Sequence, residues 1–199
     1  MAKRVYHFIL VFIMLLATGF FCIRDLQLEN YMRLFSYLFL LPLLFLPKIS
    51  EKIFSFSFDR RLKVLYFTFV FFAYFLGGLA SFYVRFHWYN TFVHSLFGFL
   101  GSFFAIALMK QFFPADKKFF YFLFSLAFIC LLAVFWEVFE YLVDFFQGTS
   151  MQHVFETGIH DTMIDFLVAL GGNILFSFFF FFSSSFYHFA TTTRFLYKK

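Results

Sequence analysis

The chain of 199 residues is 63% hydrophobic and 29% aromatic, and phenylalanine alone accounts for 44 residues. Only 14% of the residues are charged, whereas soluble domains need about 25% to cover their surface. This composition excludes a soluble enzyme, a secreted domain and a disordered chain, and it predicts an integral membrane protein. The net charge of +5 comes from basic residues between apolar stretches, so it indicates membrane orientation and not nucleic-acid binding.

Apolar stretches of roughly 20 residues are long enough to cross a bilayer as helices. The sequence predicts an all-α, polytopic transmembrane helical bundle that forms one domain over residues 1–199. Its six predicted spans are approximately 5–23, 31–47, 64–84, 88–109, 119–140 and 162–186. The second span is short and contains Pro42 and Pro47, so a half-span is the alternative for that segment.

The distribution of basic residues predicts the orientation of these spans. With the N-terminus inside, the inner segments hold 13 of the 16 Lys and Arg residues, including Lys3, Arg4, Lys198 and Lys199 at the two ends. The outer segments hold only Arg24, Arg33 and Arg85. Cytoplasmic loops of membrane proteins are enriched in Lys and Arg, so both termini are predicted to be cytoplasmic.

Acidic residues show the opposite asymmetry, and most of them lie between residues 136 and 165. Glu137, Glu140 and Asp144 follow the spacing i, i+3, i+7, which places them on one helical face. Asp161 and Asp165 have the spacing i, i+4 at the start of the sixth span, again on one face. An exposed helix end, or acids that complement a helix dipole, is the alternative interpretation of these two groups.

Helical rise indicates that several polar side chains reach a similar depth. Glu137 lies about 27 Å along the fifth span, near the outer edge of the hydrocarbon, and His94 lies a few residues into the fourth span from the same side. Gly98 and Gly101 follow His94 and leave room for a close neighbour. Asn173 lies about 12 Å deeper than Asp165 and is a secondary candidate, as is Asp144.

Carboxylates that crowd together in a low-dielectric environment cannot all remain ionised and unpaired. They need protons, basic partners or a cation, and basic residues are scarce on the outer side. We therefore predict a site for a divalent metal cation, with His94 as a further ligand or as a base. Its predicted ligands are Glu137, Glu140, Asp161, Asp165 and His94.

The polar residues of the C-terminal half form an ordered pattern: Asn90-x3-His94-x3-Gly98, Trp136-Glu137-x2-Glu140, Gly148-Thr149-x-Met151-Gln152, Gly158-x2-Asp161-Thr162-x2-Asp165 and Gly171-Gly172. Over about residues 88–175 this pattern resembles the YjdF-like bacterial inner-membrane proteins. It is similar, more distantly, to the VanZ-like membrane proteins. The resemblance implies about six helices, shared polar positions on the outer face and a location in the bacterial cytoplasmic membrane. An acid commonly occupies position 90 in that family, whereas this chain has Asn90.

Three functional hypotheses are compatible with these features. The first is a cation-dependent site that acts on a lipid headgroup or a lipid-linked phosphate, with membrane lipids as partners. The second is a proton- or ion-coupled transporter that uses the same acids as a relay. The third is a non-catalytic structural membrane protein. The signatures HExxH, Walker A and CxxC are absent from the sequence, so no reaction is indicated by a motif.

Overall fold

The computed structural model describes residues 6–29, 31–53, 56–148, 150–152 and 157–197. Within these residues the chain is almost entirely helical. The helices are α1 (Tyr6–Gln27), α2 (Tyr31–Ile53), α3 (Arg60–Leu79), α4 (Phe82–Arg85), α5 (Tyr89–Phe112), α6 (Lys118–Gln147), α7 (His160–Phe182) and α8 (Ser184–Thr192). Helix α3 is an α-helix over Arg60–Val70 and a π-helix over Phe71–Leu79.

Four of the described helices are long and apolar enough to cross a membrane. They are Arg60–Leu79, Tyr89–Phe112, Lys118–Phe146 and His160–Phe182. Helices α1 and α2, of 22 and 23 residues, correspond in sequence to the first two predicted spans. Six crossings and the orientation of the termini stay predictions. The terminal residues Lys3, Arg4, Lys198 and Lys199, used for that orientation, lie outside the described residues.

Several predicted spans differ in their bounds from the helices that the structure contains. The helix over the sixth span, predicted at 162–186, is His160–Phe182, and it ends there because Ser183 adopts an extended conformation. Helix α2 continues through Pro42 and Pro47, so it extends beyond the predicted end at residue 47. The helix over the third predicted span begins at Arg60 and ends at Leu79, whereas the sequence suggested 64–84. It ends there because Ser81 adopts a left-handed conformation with φ 64°, which interrupts helical hydrogen bonding.

A short two-stranded sheet lies beside the helices and was not anticipated by the all-α prediction. Strand β1 (Phe56–Phe58) pairs antiparallel with β2 (Phe195–Tyr197). Asp59 links the start of α3 to the residue that precedes β2. Its carboxylate accepts hydrogen bonds from the backbone nitrogens of Leu62 (2.9 Å) and Arg194 (3.1 Å). Asp59 thus caps the start of α3 and also fixes the chain that follows α8.

The chain divides into two compact units. The first contains Met1–Tyr89 and Arg194–Lys199, and its buried apolar residues are Met14, Tyr37, Leu44, Phe67, Val70, Phe75 and Leu79. The second contains Asn90–Thr193 and is built from α5, α6, α7 and α8. All of the candidate site residues lie in this second unit.

Helices α5 and α7 are in contact through their backbones. A Cβ atom built on Gly98 would overlap the carbonyl oxygen of Ala169, and one built on Gly172 would overlap the carbonyl oxygen of Ser95. Gly101 similarly leaves room for the Ile129 side chain of α6, whose Cδ1 would lie 2.7 Å from an added Cβ. Small residues therefore set the distance between these helices, as they do at many helix interfaces in membranes.

Two adjacent glycines provide a matched test of this contact. We expect Gly172→Ala to destabilise the protein by about 1–3 kcal/mol, because the added methyl group must displace the α5 backbone. The same change at Gly171 meets nothing within 4 Å, and the helix propensity of alanine favours it by up to about 1 kcal/mol. Thermal unfolding in detergent measures both changes. Equal destabilisation by the two variants would contradict the close contact.

Candidate metal centre

Three helices bring one acidic or imidazole side chain each to a common point. His94 of α5, Glu137 of α6 and Asp165 of α7 each offer a ligand atom, and these atoms all lie within 4.8 Å of one another. The three residues are buried, with exposed fractions of 8%, 6% and 3%. We refer to His94, Glu137 and Asp165 as the triad.

The triad lies inside the helices and not at their tips. His94 and Asp165 each lie five residues after the first residues of their helices, Tyr89 and His160. Glu137 lies ten residues before the end of α6 at Gln147. At 1.5 Å per residue the triad is roughly 7–15 Å from the helix ends. The polar cluster is therefore recessed between helices that are otherwise apolar.

Asp165 is held by two residues of α5. The side-chain nitrogen of Asn90 donates to both carboxylate oxygens of Asp165, each at 3.0 Å. The Nε2 atom of His94 lies 3.3 Å from Oδ2 of the same carboxylate. Asn90 and His94 are four residues apart on one helix, so both face α7. This arrangement fixes the orientation of a buried carboxylate from two directions.

Glu137 is covered by the segment that follows α6. Gly148 ends the helix in a left-handed conformation with φ 64°. The carboxylate of Asp144 then accepts hydrogen bonds from the backbone nitrogens of Met151 (2.7 Å) and Gln152 (2.9 Å). As a result, Nε2 of Gln152 lies 3.1 Å from the carbonyl oxygen and 3.4 Å from Oε2 of Glu137. Asp144 thus organises the loop and is not part of the triad.

The two remaining predicted acids lie beside the triad. Glu140 is buried, with 8% exposed, and accepts a hydrogen bond of 2.7 Å from the indole nitrogen of Trp136. It interacts electrostatically with Glu137, Asp165 and Asp161. Asp161 is half-buried. Of the five ligands that the sequence predicts, His94, Glu137 and Asp165 converge within ligand distance. The other two, Glu140 and Asp161, lie beside them.

Asn173 belongs to a different cluster. Its side-chain nitrogen donates to the hydroxyl oxygens of Ser102 (2.7 Å) and Ser125 (3.0 Å). It lies eight residues beyond Asp165 on α7, which is about 12 Å by helical rise. Both secondary candidates therefore lie outside the triad. Asp144 binds the loop that follows α6, and Asn173 belongs to a deeper polar layer.

Asn90 and Gln152 contact the triad, but neither was a candidate ligand in the sequence. Both residues belong to the ordered polar pattern of the C-terminal half. Asn90 precedes His94 by one helical turn, and this spacing was the available indication that the two share a face. Gln152 reaches Glu137 through a turn whose path no periodicity predicts.

The separations within the triad are compatible with a single cation. Two ligands of one metal ion can be separated by at most twice the metal–ligand distance, roughly 4.2 Å for zinc and 4.8 Å for calcium. The triad atoms lie within 4.8 Å of one another, so a calcium ion meets this limit directly, whereas a zinc ion requires every pair to lie within about 4.2 Å. The 3.3 Å between His94 and Asp165 matches two adjacent ligands of one ion, for which bonds of about 2.1 Å give roughly 3.0–3.4 Å. The same pair can instead share a proton, so a cation and a proton compete for it.

The comparisons agree with the class of protein that the helices define. The chain is a membrane protein with helices apolar enough to span a bilayer. The family described as "Predicted membrane protein (DUF2238)" matches residues 6–185. The chain therefore belongs to the DUF2238 family. No curated protein and no solved structure matched the chain. The resemblance to YjdF-like and VanZ-like proteins stays a prediction.

The contact between Asn90 and Asp165 can be measured by a double-mutant cycle. We expect Asn90→Leu to destabilise the protein by about 1–3 kcal/mol, because Asp165 loses two charge-assisted hydrogen bonds while it remains buried. In an Asp165→Asn background the same change costs less, because no carboxylate remains to be desolvated. Thermal unfolding of the four proteins gives the coupling energy, and additive effects would contradict the contact. Thr91→Val, at an exposed neighbouring position, is the control.

Proposed function

We propose that the protein binds a divalent cation at the triad and uses it to bind the phosphate group of a membrane lipid or a lipid-linked substrate. The observation that carries this proposal is the convergence of His94, Glu137 and Asp165 from three helices within 4.8 Å. In this proposal the triad supplies the protein ligands. Glu140 and Asp161 add negative charge beside the triad, which favours a cation over a neutral ligand.

The composition of the triad favours particular cations. An imidazole together with two carboxylates suits zinc or manganese better than magnesium or calcium, which prefer oxygen ligands alone. Three protein ligands leave at least one coordination position for water or for a substrate oxygen. A cation at that position polarises a phosphoryl oxygen and makes its bound water more acidic.

Electrostatics supports the same assignment. Among the described residues, no Lys or Arg side chain forms an ion pair with Glu137 or Glu140. Both carboxyl groups are buried and interact with each other electrostatically. A buried carboxylate needs a positive partner or a proton, and a divalent cation satisfies several of these groups at once.

The surroundings of the triad support a lipid ligand. Residues next to Glu137 on α6 expose apolar side chains, with 44% of Trp136, 49% of Val138 and 46% of Phe139 accessible. Leu167, two residues from Asp165, is 59% exposed. In a membrane such surfaces contact lipid, and the recessed triad lies about one to three turns from the helix ends. A headgroup phosphate is the charged group that a membrane brings to this depth.

We further propose that α1 and α2 also cross the membrane. Six crossings place both termini in the bacterial cytoplasm and the triad near the outer leaflet. The segregation of basic and acidic residues in the sequence supports this orientation.

The transporter hypothesis has less support than the cation site. A proton or ion pathway needs polar groups that continue across the membrane. Below the triad, α5 and α7 are in backbone contact at Gly98 and Gly172, and the polar residues beyond this contact, Ser102 and Asn173, are neutral and fully buried. The non-catalytic structural hypothesis assigns no role to the convergence of the triad, so it too is less supported.

The binding of a cation can be tested directly on the purified chain. We expect equilibrium dialysis against Mn²⁺ or Zn²⁺ to give one bound ion per chain. In Glu137→Gln/Asp165→Asn the affinity falls by at least about 100-fold, since two of the three ligands lose their charge. Asp116→Asn, at an exposed position outside the triad, retains the affinity. Equal binding by the triad variant and the parent would contradict the proposal.

The pH dependence of that affinity distinguishes the triad from adventitious surface binding. For each proton that the cation displaces from the carboxyl groups of the site, the affinity rises with pH by about tenfold per unit. Calorimetric titrations in buffers of different ionisation enthalpy count the released protons.

Trp136 fluorescence gives a second measurement of cation binding that does not depend on dialysis. The chain has only two tryptophans, so a Trp88→Phe background isolates Trp136, which contacts Glu140. Saturable quenching by Mn²⁺ is expected.

The phosphate ligand requires a separate test. In detergent, short-chain phosphatidic acid is expected to bind the Mn²⁺-loaded chain but not the metal-free chain or the Glu137→Gln/Asp165→Asn variant. Inorganic phosphate is the comparison that separates recognition of a lipid phosphate from recognition of free phosphate. If neither phosphate compound binds while Mn²⁺ does, the phosphate proposal is wrong and the cation site remains.

A further inference from the structure

A second polar layer lies deeper between the same three helices that carry the triad. Ser102 of α5, Ser125 of α6 and Asn173 of α7 each contribute one side chain to it. All three residues have an exposed fraction of 0%. Asn173 is roughly 12 Å deeper than Asp165, and Ser102 is roughly 12 Å deeper than His94. We refer to Ser102, Ser125 and Asn173 as the deep layer.

Most hydrogen-bonding groups of the deep layer have protein partners. The hydroxyl of Ser102 donates to the carbonyl oxygen of Gly98 at 2.6 Å, and that of Ser125 donates to the carbonyl oxygen of Phe122 at 2.9 Å. The two N–H groups of the Asn173 amide donate to the two serine oxygens. In contrast, the amide oxygen Oδ1 of Asn173 is buried and has no partner in the described part of the chain.

The orientation of the amide follows from its neighbours. If the amide were reversed, its NH₂ group would take the place of Oδ1. Its two N–H donors would then lack acceptors, whereas in the present orientation one acceptor lacks a donor. The present orientation therefore leaves the smallest deficit. That deficit is still costly, because an unsatisfied buried polar atom loses its hydrogen bond to water without replacement. In the interior of a membrane, no bulk water can compensate for it.

We propose that the deep layer binds a single internal water molecule that donates a hydrogen bond to Oδ1 of Asn173. Each serine oxygen accepts one bond from Asn173 and retains a second lone pair, so the water has further acceptors in the same layer. A buried water requires two to four polar partners, and the layer supplies that number. The layer contains no carboxylate, so it favours a neutral donor over a cation.

The bound water also has a structural consequence. It completes the hydrogen bonding of a layer that takes one residue from each of α5, α6 and α7. The orientation of the three helices at that depth is then set by polar contacts, which are directional, as well as by the close packing of Gly98 and Gly172. This site is independent of the triad, because it contains no proposed metal ligand.

Infrared spectroscopy can test for the water, because the chain has only three asparagines, Asn30, Asn90 and Asn173. In protein labelled with ¹³C at the asparagine side-chain carbonyl, we expect the Asn173 band at the lower frequency of a hydrogen-bonded amide. In the difference spectrum between H₂¹⁸O and H₂¹⁶O, we expect an O–H stretching band that Asn173→Leu removes and Asn30→Leu retains.

Each alternative outcome contradicts the proposal. A carbonyl band at the frequency of a free amide means that Oδ1 has no donor. A bonded carbonyl without an ¹⁸O-sensitive band means that a protein group is the donor. A band that moves when Na⁺ is replaced by K⁺ or NH₄⁺ identifies a cation in place of water. If Asn173→Leu does not fold, Asn30→Leu and Asn90→Leu assign the Asn173 carbonyl by elimination, and the parent protein is tested directly.

Discussion

The backbone contact between α5 and α7 is the constraint on which the rest of the second unit depends. Gly98 contacts the backbone of Ala169, and Gly172 contacts the backbone of Ser95. Hydrophobic burial does not drive helices together inside a bilayer, because the lipid tails are as apolar as the side chains. Close packing and interhelical hydrogen bonds must do so. The glycines provide both, because they bring the polar residues of the two helices within hydrogen-bonding distance.

The polar residues on either side of this contact depend on it. His94, one turn above Gly98, and Asn90, two turns above it, reach Asp165, and one turn below Gly98 the hydroxyl of Ser102 contacts Asn173. If the helices moved apart by the radius of a methyl group, the bonds at both levels would lengthen beyond the useful range of about 3.2 Å. Asp165 would then lose its bonds to Asn90 and His94 while it remained buried, which is strongly unfavourable. The glycines and the buried polar groups therefore stabilise each other.

Much of this arrangement could be predicted from the sequence, and the reasons are geometric. A helix fixes both the face and the depth of each residue, so the spacing of His94, Glu137 and Asp165 was sufficient to predict a common level. Which helices are neighbours is not encoded in periodicity. The bond from Asn90 to Asp165 links residues 75 positions apart, and nothing in either segment alone indicates it.

The sequence predicts side-chain contacts least well where a side chain is placed by irregular backbone and not by a helix. Gln152 reaches Glu137 only because Gly148 takes a left-handed conformation and Asp144 binds two backbone nitrogens beyond it. The sequence identified Asp144 as part of an acidic face, since its spacing from Glu137 fits that face. Its role in the loop depends on the turn and not on the helix. The end of α3 at Leu79 likewise depends on the left-handed conformation of Ser81, and the strand pair is supported by the hydrogen bonds of the Asp59 carboxylate.

The order of the two polar layers along the bundle bears on function. The triad is rich in charge and lies within three turns of the helix ends, whereas the deep layer is neutral and lies beyond the glycine contact. Charged groups are tolerated near the end of a bundle because water, ions and headgroups can reach them. A neutral, hydrogen-bonded layer serves better in the interior, where a charge would lack compensation. A proton or ion pathway would need titratable or charged groups at both levels, whereas a cation site needs them at one level only. The helices α5, α6 and α7 therefore carry their charged side chains near one end and neutral hydrogen-bonding side chains deeper along the same helices.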